Sequence, residues 1–306
     1  MRPWKDWLLA SLLLPFSLSA QAEPIGYVST FSDLYRVDLS TGVATRIGPI
    51  GFNDVDGLAI SPDGVLYGVA DLTAGSGSGL TDFLIRIDHS TGAGTLIGPL
   101  SGLANQGPGG ALDYGLAFTC DGRLWLSSDS TGSLWEVARG SGQVRLVAET
   151  GAPISGLAGR GRELYGIGVR QGFGDASQQA TYRIDTATGR AERIGSLTSP
   201  DTLSGAGADF DMEGVLWATL DSQPPDFNRP TRVARIDLSN GSAAVVASLS
   251  GIQDNLSARG LAIAPPGTCS VAGPLPPAVV PGPGLTLLAA LAALAALLGA
   301  VRLRSA

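Results

Sequence analysis

The sequence predicts an all-β protein, a five-bladed β-propeller closed by pairing of its N- and C-terminal strands, with one apolar transmembrane helix after it. Three observations predict the ring. One pattern recurs along the chain: a Gly-Leu-Ala strand, a Pro-Asp-Gly-like turn, a second strand, an Ile/Val-Asp strand, a Thr-Gly turn and a last strand. Its period is near fifty residues, since the turn glycines Gly42, Gly92, Gly142, Gly189 and Gly241 lie 50, 50, 47 and 52 apart. Four short strands at such a period are the mark of propeller blades. Finally, the opening-strand glycines, Gly57, Gly115, Gly156, Gly207 and Gly260, start one unit late, so the first unit lacks an opening strand and the far end of the chain supplies it.

In chain order, Ile25-Gly26-Tyr27-Val28 matches the second strand of a unit, and Leu34-Tyr35-Arg36-Val37-Asp38 the third. The complete copies follow, the clearest being Gly57 to Tyr67 with Leu84 to Gly92. The segment from Gly260 to Gly267 then provides the missing strand. Closing the first blade from both ends removes two open sheet edges, which would otherwise invite aggregation. The third strands alternate apolar and polar residues, as half-buried strands do. Asp38, Asp88, Asp185 and Asp237 each open a turn that closes on glycine, where a short carboxylate caps backbone amides. Asp63, Asp121 and Glu213 serve the other turn family in the same way. Tyr67, Trp125, Tyr165 and Trp217 recur in one slot and are expected to pack between blades.

The rest of the chain speaks of address. Residues 1–22 read as a secretory signal peptide: Arg2 and Lys5 precede an apolar run from Trp7 to Leu18, and Ala20-Gln21-Ala22 forms a small-x-small cleavage site. The propeller is expected over 23–270, a Pro-rich spacer over 271–284, an uncharged apolar helix over 285–301 and a basic tail over 302–306. Seventeen residues make about 26 Å of helix, close to the hydrocarbon thickness of a bilayer. Arg302 and Arg304 would keep the C-terminus cytoplasmic. This tail resembles the PEP-CTERM sorting signal of exosortase-processed bacterial surface proteins, although Val280-Pro281-Gly282-Pro283 carries Gly where that motif has Glu. The resemblance covers about the last twenty-five residues. It implies a Gram-negative envelope protein at the periplasm or cell surface, anchored or processed at the membrane, with an exosortase-type enzyme as a partner and an exopolysaccharide matrix nearby.

Between residues 23 and 280 there are 26 acidic and 16 basic side chains, a net of −10. Such a domain repels phosphate backbones, which excludes nucleic acid as a partner. His89 is the sole histidine, so Ser-His-Asp and Cys-His centres and His-rich metal sites are not expected. Gly75-Ser76-Gly77-Ser78-Gly79 has neither the lysine nor the strand-to-helix context of a phosphate-binding loop. Cys120 and Cys269 are the only cysteines. In an exported chain they form either a disulfide that locks the closing strand or two half-buried thiols.

Both turn families project from one face, leaving the loops of variable length on the other, where binding usually resides. The candidate site is the channel mouth on that side: Asp54, Asp56, Asp113, Tyr114, Asp201, Asp254 and Arg259, with Asp209 as a further candidate because it replaces the alanine of Gly-Leu-Ala, and Asp211 beside it. Converging carboxylates there would hold Ca²⁺ or supply acid and base to a glycoside. Solvated loop acids are the bland reading. The blades resemble NHL and quinoprotein-like propeller repeats, a likeness of pattern that implies no function. The expected function is a non-catalytic binding or matrix module with a polysaccharide or envelope protein as partner. The alternative is a Ca²⁺-dependent hydrolase or lyase acting on a carbohydrate or lactone. Convergence of Asp56, Asp113, Asp209 and Asp254 would favour the enzyme, dispersal the module.

Overall fold

The computed structural model describes residues 24–70, 82–103, 114–169, 179–199, 202–222, 229–252 and 257–269. Twenty strands form five antiparallel four-stranded sheets. Blade 1 combines β1 (Ile25–Ser29), β2 (Asp33–Asp38) and β3 (Ala44–Pro49) with the last strand, β20 (Arg259–Ala264). Blade 2 is β4 (Leu58–Ile60), β5 (Leu66–Ala70), β6 (Phe83–Ile87) and β7 (Gly94–Pro99). Blade 3 is β8 (Tyr114–Phe118), β9 (Leu124–Ser128), β10 (Ser133–Val137) and β11 (Val144–Glu149). Blade 4 is β12 (Ile154–Arg160), β13 (Glu163–Gly168), β14 (Ala180–Ile184) and β15 (Ala191–Ser196). Blade 5 is β16 (Leu203–Phe210), β17 (Leu216–Ser222), β18 (Arg232–Ile236) and β19 (Ala243–Ser248). The ring therefore closes as the repeat predicts, with Ile25 opposite Ala264, Gly26 opposite Ile263 and Tyr27 opposite Ala262.

The turn chemistry is as the sequence leads one to expect. Oδ1 of Asp38, Asp88, Asp185 and Asp237 accepts the amide two residues on, at 2.7–2.8 Å. The glycines that close these turns have φ between +70° and +86°, the left-handed region open to them. The turns also join the blades. In four of the five blades the fourth strand starts against the end of the preceding blade's fourth strand: Gly94 N donates to Ile50 O, Val144 N to Ser101 O, Ala243 N to Leu197 O and Ala44 N to Ser250 O. The aromatic slot does pack between blades. Trp125, Trp217 and Tyr67 are buried, Tyr165 is half-buried, and the Tyr67 and Tyr165 rings meet Phe118 and Phe210 of the next blades edge-on at 5.3 Å. His89 sits in its turn against the Tyr27 ring, centroids 5.7 Å apart.

Where the innermost strands meet, the axis is shut. A Cβ on Gly57 would lie 2.7 Å from Tyr114 O, on Gly115 2.8 Å from Leu157 N, on Gly207 2.6 Å from Leu261 N and on Gly260 2.7 Å from Asp56 O. At this level the axis leaves no room for a water molecule. The first glycine of Gly-Leu-Ala is thus an inter-blade contact. Gly207→Ala will lower stability by about 1–3 kcal/mol in urea unfolding, because a methyl group must push two backbones apart. Gly140→Ala, with nothing within 4 Å of the new methyl, will stay within about 0.5 kcal/mol. Equal midpoints for the two variants would refute tight axial packing.

Beyond β20 the chain crosses the turn-side end of the axis. Gly267 lies against Asp211 of blade 5, Gly161 N of blade 4 donates to Thr268 O at 2.7 Å, and Cys269 is disulfide-bonded to Cys120 of blade 3. The two cysteines therefore form the bond. The signal peptide, the spacer over 271–284, the apolar helix over 285–301 and the basic tail lie outside the described residues. Among the described residues no helix is long and apolar enough to cross a membrane.

Candidate functional site

All five innermost strands run in the same direction, so their first residues share one face of the ring, the loop face, and their last residues share the turn face. Arg259 opens β20 and Asp56 sits just before β4, which brings both to the loop-face mouth. The Arg259 guanidinium reaches Asp56 at 3.2 Å and Asp54 at 3.5 Å. Asp56 is buried, whereas Asp54 and Arg259 are about one-third exposed. Asp54 adopts a left-handed φ of +46°, a conformation its short polar side chain tolerates. Ser29 donates its hydroxyl to Arg259 O at 2.7 Å, tying the cluster to β1. Tyr114, at the start of β8, donates its hydroxyl to Asp82. Asp113, Asp201 and Asp254 lie outside the described residues.

Asp209 does not belong to this mouth. It is the penultimate residue of β16 and lies towards the turn face. Its Oδ2 accepts Ile263 N of the closing strand at 2.7 Å, and its Oδ1 accepts Phe210 N at 2.8 Å. A position that breaks the repeat was expected to line the channel as a ligand. Instead its carboxylate bridges blade 5 to blade 1. Burial pushes this carboxyl up to about 7, against the pull of the two amides, and the charge of Asp211 adds to the rise. Asp211 is a turn residue: Oδ1 accepts Val215 N and Oδ2 the Trp217 indole N–H at 2.7 Å.

Sequence reasoning missed Asp221. It ends the channel-facing half of blade 5, buried, and accepts the Thr231 hydroxyl, while Thr231 Oγ1 accepts Ala258 N just before β20 at 3.0 Å. Burial pushes its carboxyl up to about 6, against the Thr231 hydrogen bond and the charge of Arg259. The signal was present: Asp71, Asp129 and Asp221 each stand four residues after their blade's aromatic. Blade 5 thus grips both ends of the closing strand with buried carboxylates. A second loop-face feature is a hollow of about 470 Å³ between blades 3 and 4, lined by residues that include Asp129, Glu149, Pro153 and Tyr182.

Fold and site together define a closed five-bladed propeller whose two buried axial carboxylates, Asp56 and Asp209, are held by partners within the ring. No protein-family model matches the chain, and no curated protein matches it. Among solved structures it is similar to a putative TolB from Agrobacterium tumefaciens, at 15% identity and a TM-score of 0.44 over 73% of this chain and 76% of that one. It is also similar to a chain of a Nidogen/Laminin complex, at 14% identity and a TM-score of 0.47 over 81% and 99%. A protein of unknown function from Bacteroides caccae matches at 11% identity and a TM-score of 0.49 over 79% and 99%. At such identities a likeness concerns the fold alone, and the five blades rest on the strand pairing described above.

Proposed function

We propose that this protein is an exported, non-catalytic propeller that acts as a binding or matrix module in the bacterial envelope. The observation that carries the reading is the engagement of the axial carboxylates. Asp209 is taken up by two backbone amides and Asp56 by Arg259, and the two lie at opposite ends of a closed axis. A Ca²⁺ cage or a pair of catalytic acids needs carboxylates that converge on one open space. What a rigid ring still offers is its exposed turns and loops. The Cys120–Cys269 bond supports export, since such bonds persist in oxidising compartments. A polysaccharide or an envelope protein is the partner proposed, with the C-terminal segment holding the ring near the membrane and an exosortase-type enzyme as its processor.

Thermal unfolding of the purified protein in excess Ca²⁺, repeated with chelator, tests this. The two midpoints will coincide. A ligand of the folded ring at a hundred times its dissociation constant would add about 2.7 kcal/mol. A rise of that order, abolished by Asp56→Asn, would restore the Ca²⁺-dependent hydrolase or lyase.

A further inference from the structure

Blade 4 reverses the charge of the ring. Six of the sixteen arginines between residues 23 and 270 lie between 154 and 196, in a domain whose net charge is −10. Two of them occupy turn slots that no sister blade gives to a base. The first turn of blade 4 is one residue shorter than its sisters: Gly161 and Arg162 alone join Arg160 to Glu163, where the other blades use Pro62-Asp63-Gly64, Cys120-Asp121-Gly122 and Met212-Glu213-Gly214. Gly161 takes the left-handed glycine's part, the acid is missing and Arg162 is present. In the second turn, Arg190 stands where the sister blades place Val43, Ala93, Gln143 and Ser242. The first change deletes an acid, and both add a base. A local departure from a repeat that is otherwise kept marks a position with its own task.

The two turns project from the same face and frame a hollow of about 640 Å³, lined by residues that include Arg162, Glu163, Arg183, Asp185, Arg190 and Glu192. Two of its acids are already engaged. Glu163 accepts the Arg183 guanidinium and, at 3.0 Å, the Tyr165 hydroxyl. Asp185 accepts the amides of Ala187 and Thr188 at 2.7 and 3.1 Å, which hold its carboxyl below the usual range. Arg162 and Arg190 are exposed and form no ion pair among the described residues. Both line the hollow, with Glu192 as the remaining acid.

We propose that this hollow is an anion-binding site that takes a carboxylate- or phosphate-bearing ligand between Arg162 and Arg190. A guanidinium presents a planar fork of donors that matches either oxyanion in a bidentate way. The volume falls within the range of small-molecule sites. The acidic remainder of the ring repels long polyanions but leaves this island open to a compact ligand with one or two charges. The site gives the binding-module reading a definite ligand chemistry and rests on that reading.

Calorimetric titration of the full protein with galacturonate, inorganic phosphate and galactose tests it. At low salt at least one of the two anions will bind and galactose will not. The Arg162→Gln, Arg190→Gln double variant will lose at least tenfold in affinity with its thermal midpoint unchanged, because both positions are exposed, and added salt will weaken wild-type binding. Tighter binding of galacturonate assigns a sugar acid, and tighter binding of phosphate a phosphorylated ligand. Binding of neither anion, or binding that the double variant retains, overturns the site. A Ca²⁺-dependent rise in melting midpoint would instead count against the module while leaving this titration as it is, so the two readings fail separately.

Discussion

Replacing Cys120 and Cys269 with alanine will lower the unfolding free energy by up to about 5 kcal/mol, the loop-entropy value for a cross-link spanning 149 residues. The geometry explains why the effect should approach that limit. The closing strand β20 is the innermost strand of blade 1 but arrives last in the chain. It is held by its ladder with β1, by Asp209 at one end and by the Asp221–Thr231 pair at the other. The disulfide adds an anchor two blades away, on blade 3, after a crossing over the end of the axis. Without it the unfolded chain regains the freedom of a long loop, and the ring can open from its C-terminal end. Urea unfolding of the oxidised protein and of the double variant at one pH measures the difference. Equal midpoints would mean that the ladder and the buried carboxylates close the ring alone.

Stability will fall as the pH rises from 5 to 8. Asp209 carries the larger part, and its sign follows from linkage. Its folded-state value is raised from 3.8 to about 7, so the folded ring holds this proton more tightly than the unfolded chain does. The stability it contributes is complete below about 3.8 and is lost as the pH climbs through 7. A rise of three units corresponds to roughly 4 kcal/mol, an upper limit for one group. Asp221, raised to about 6, slopes the same way. Asp88, Asp185 and Asp237 slope in the opposite sense, because their turns lower their values and their contribution disappears only in stronger acid. Urea midpoints across the range will show the decline. Asp209→Asn cannot titrate and will flatten it, and because its amide nitrogen replaces one of the two oxygens that accept backbone N–H groups, the variant will lie below the wild type in acid. An undiminished slope in that variant would place the effect elsewhere.

Much of this architecture was legible in the chain. Blade number, strand order and closure from both ends follow from a repeat of about fifty residues, and the turn aspartates from their spacing to glycine. These are local features, in which residues a few positions apart specify each other's conformation. The cysteine pair was legible as two residues that a crossing tail could join, but whether they meet depends on how far Gly267 and Thr268 reach across blades 5 and 4. The candidate site was legible only in part. Arg259, Asp54 and Asp56 stood out as charged loop residues and do come together. Asp209 stood out as a broken repeat, yet its position near the end of β16 sends it to the opposite face and onto the backbone of β20.

The order of the blades and the way they close are thus written in the sequence, because periodicity and turn chemistry act over short stretches of chain. The closed axis, the hold of Asp209 on Ile263, the sharing of Arg259 between two aspartates and the joining of Cys120 to Cys269 required the folded ring. Each is a contact between residues far apart in sequence, set by how closely one blade approaches the next, and no local pattern encodes that distance.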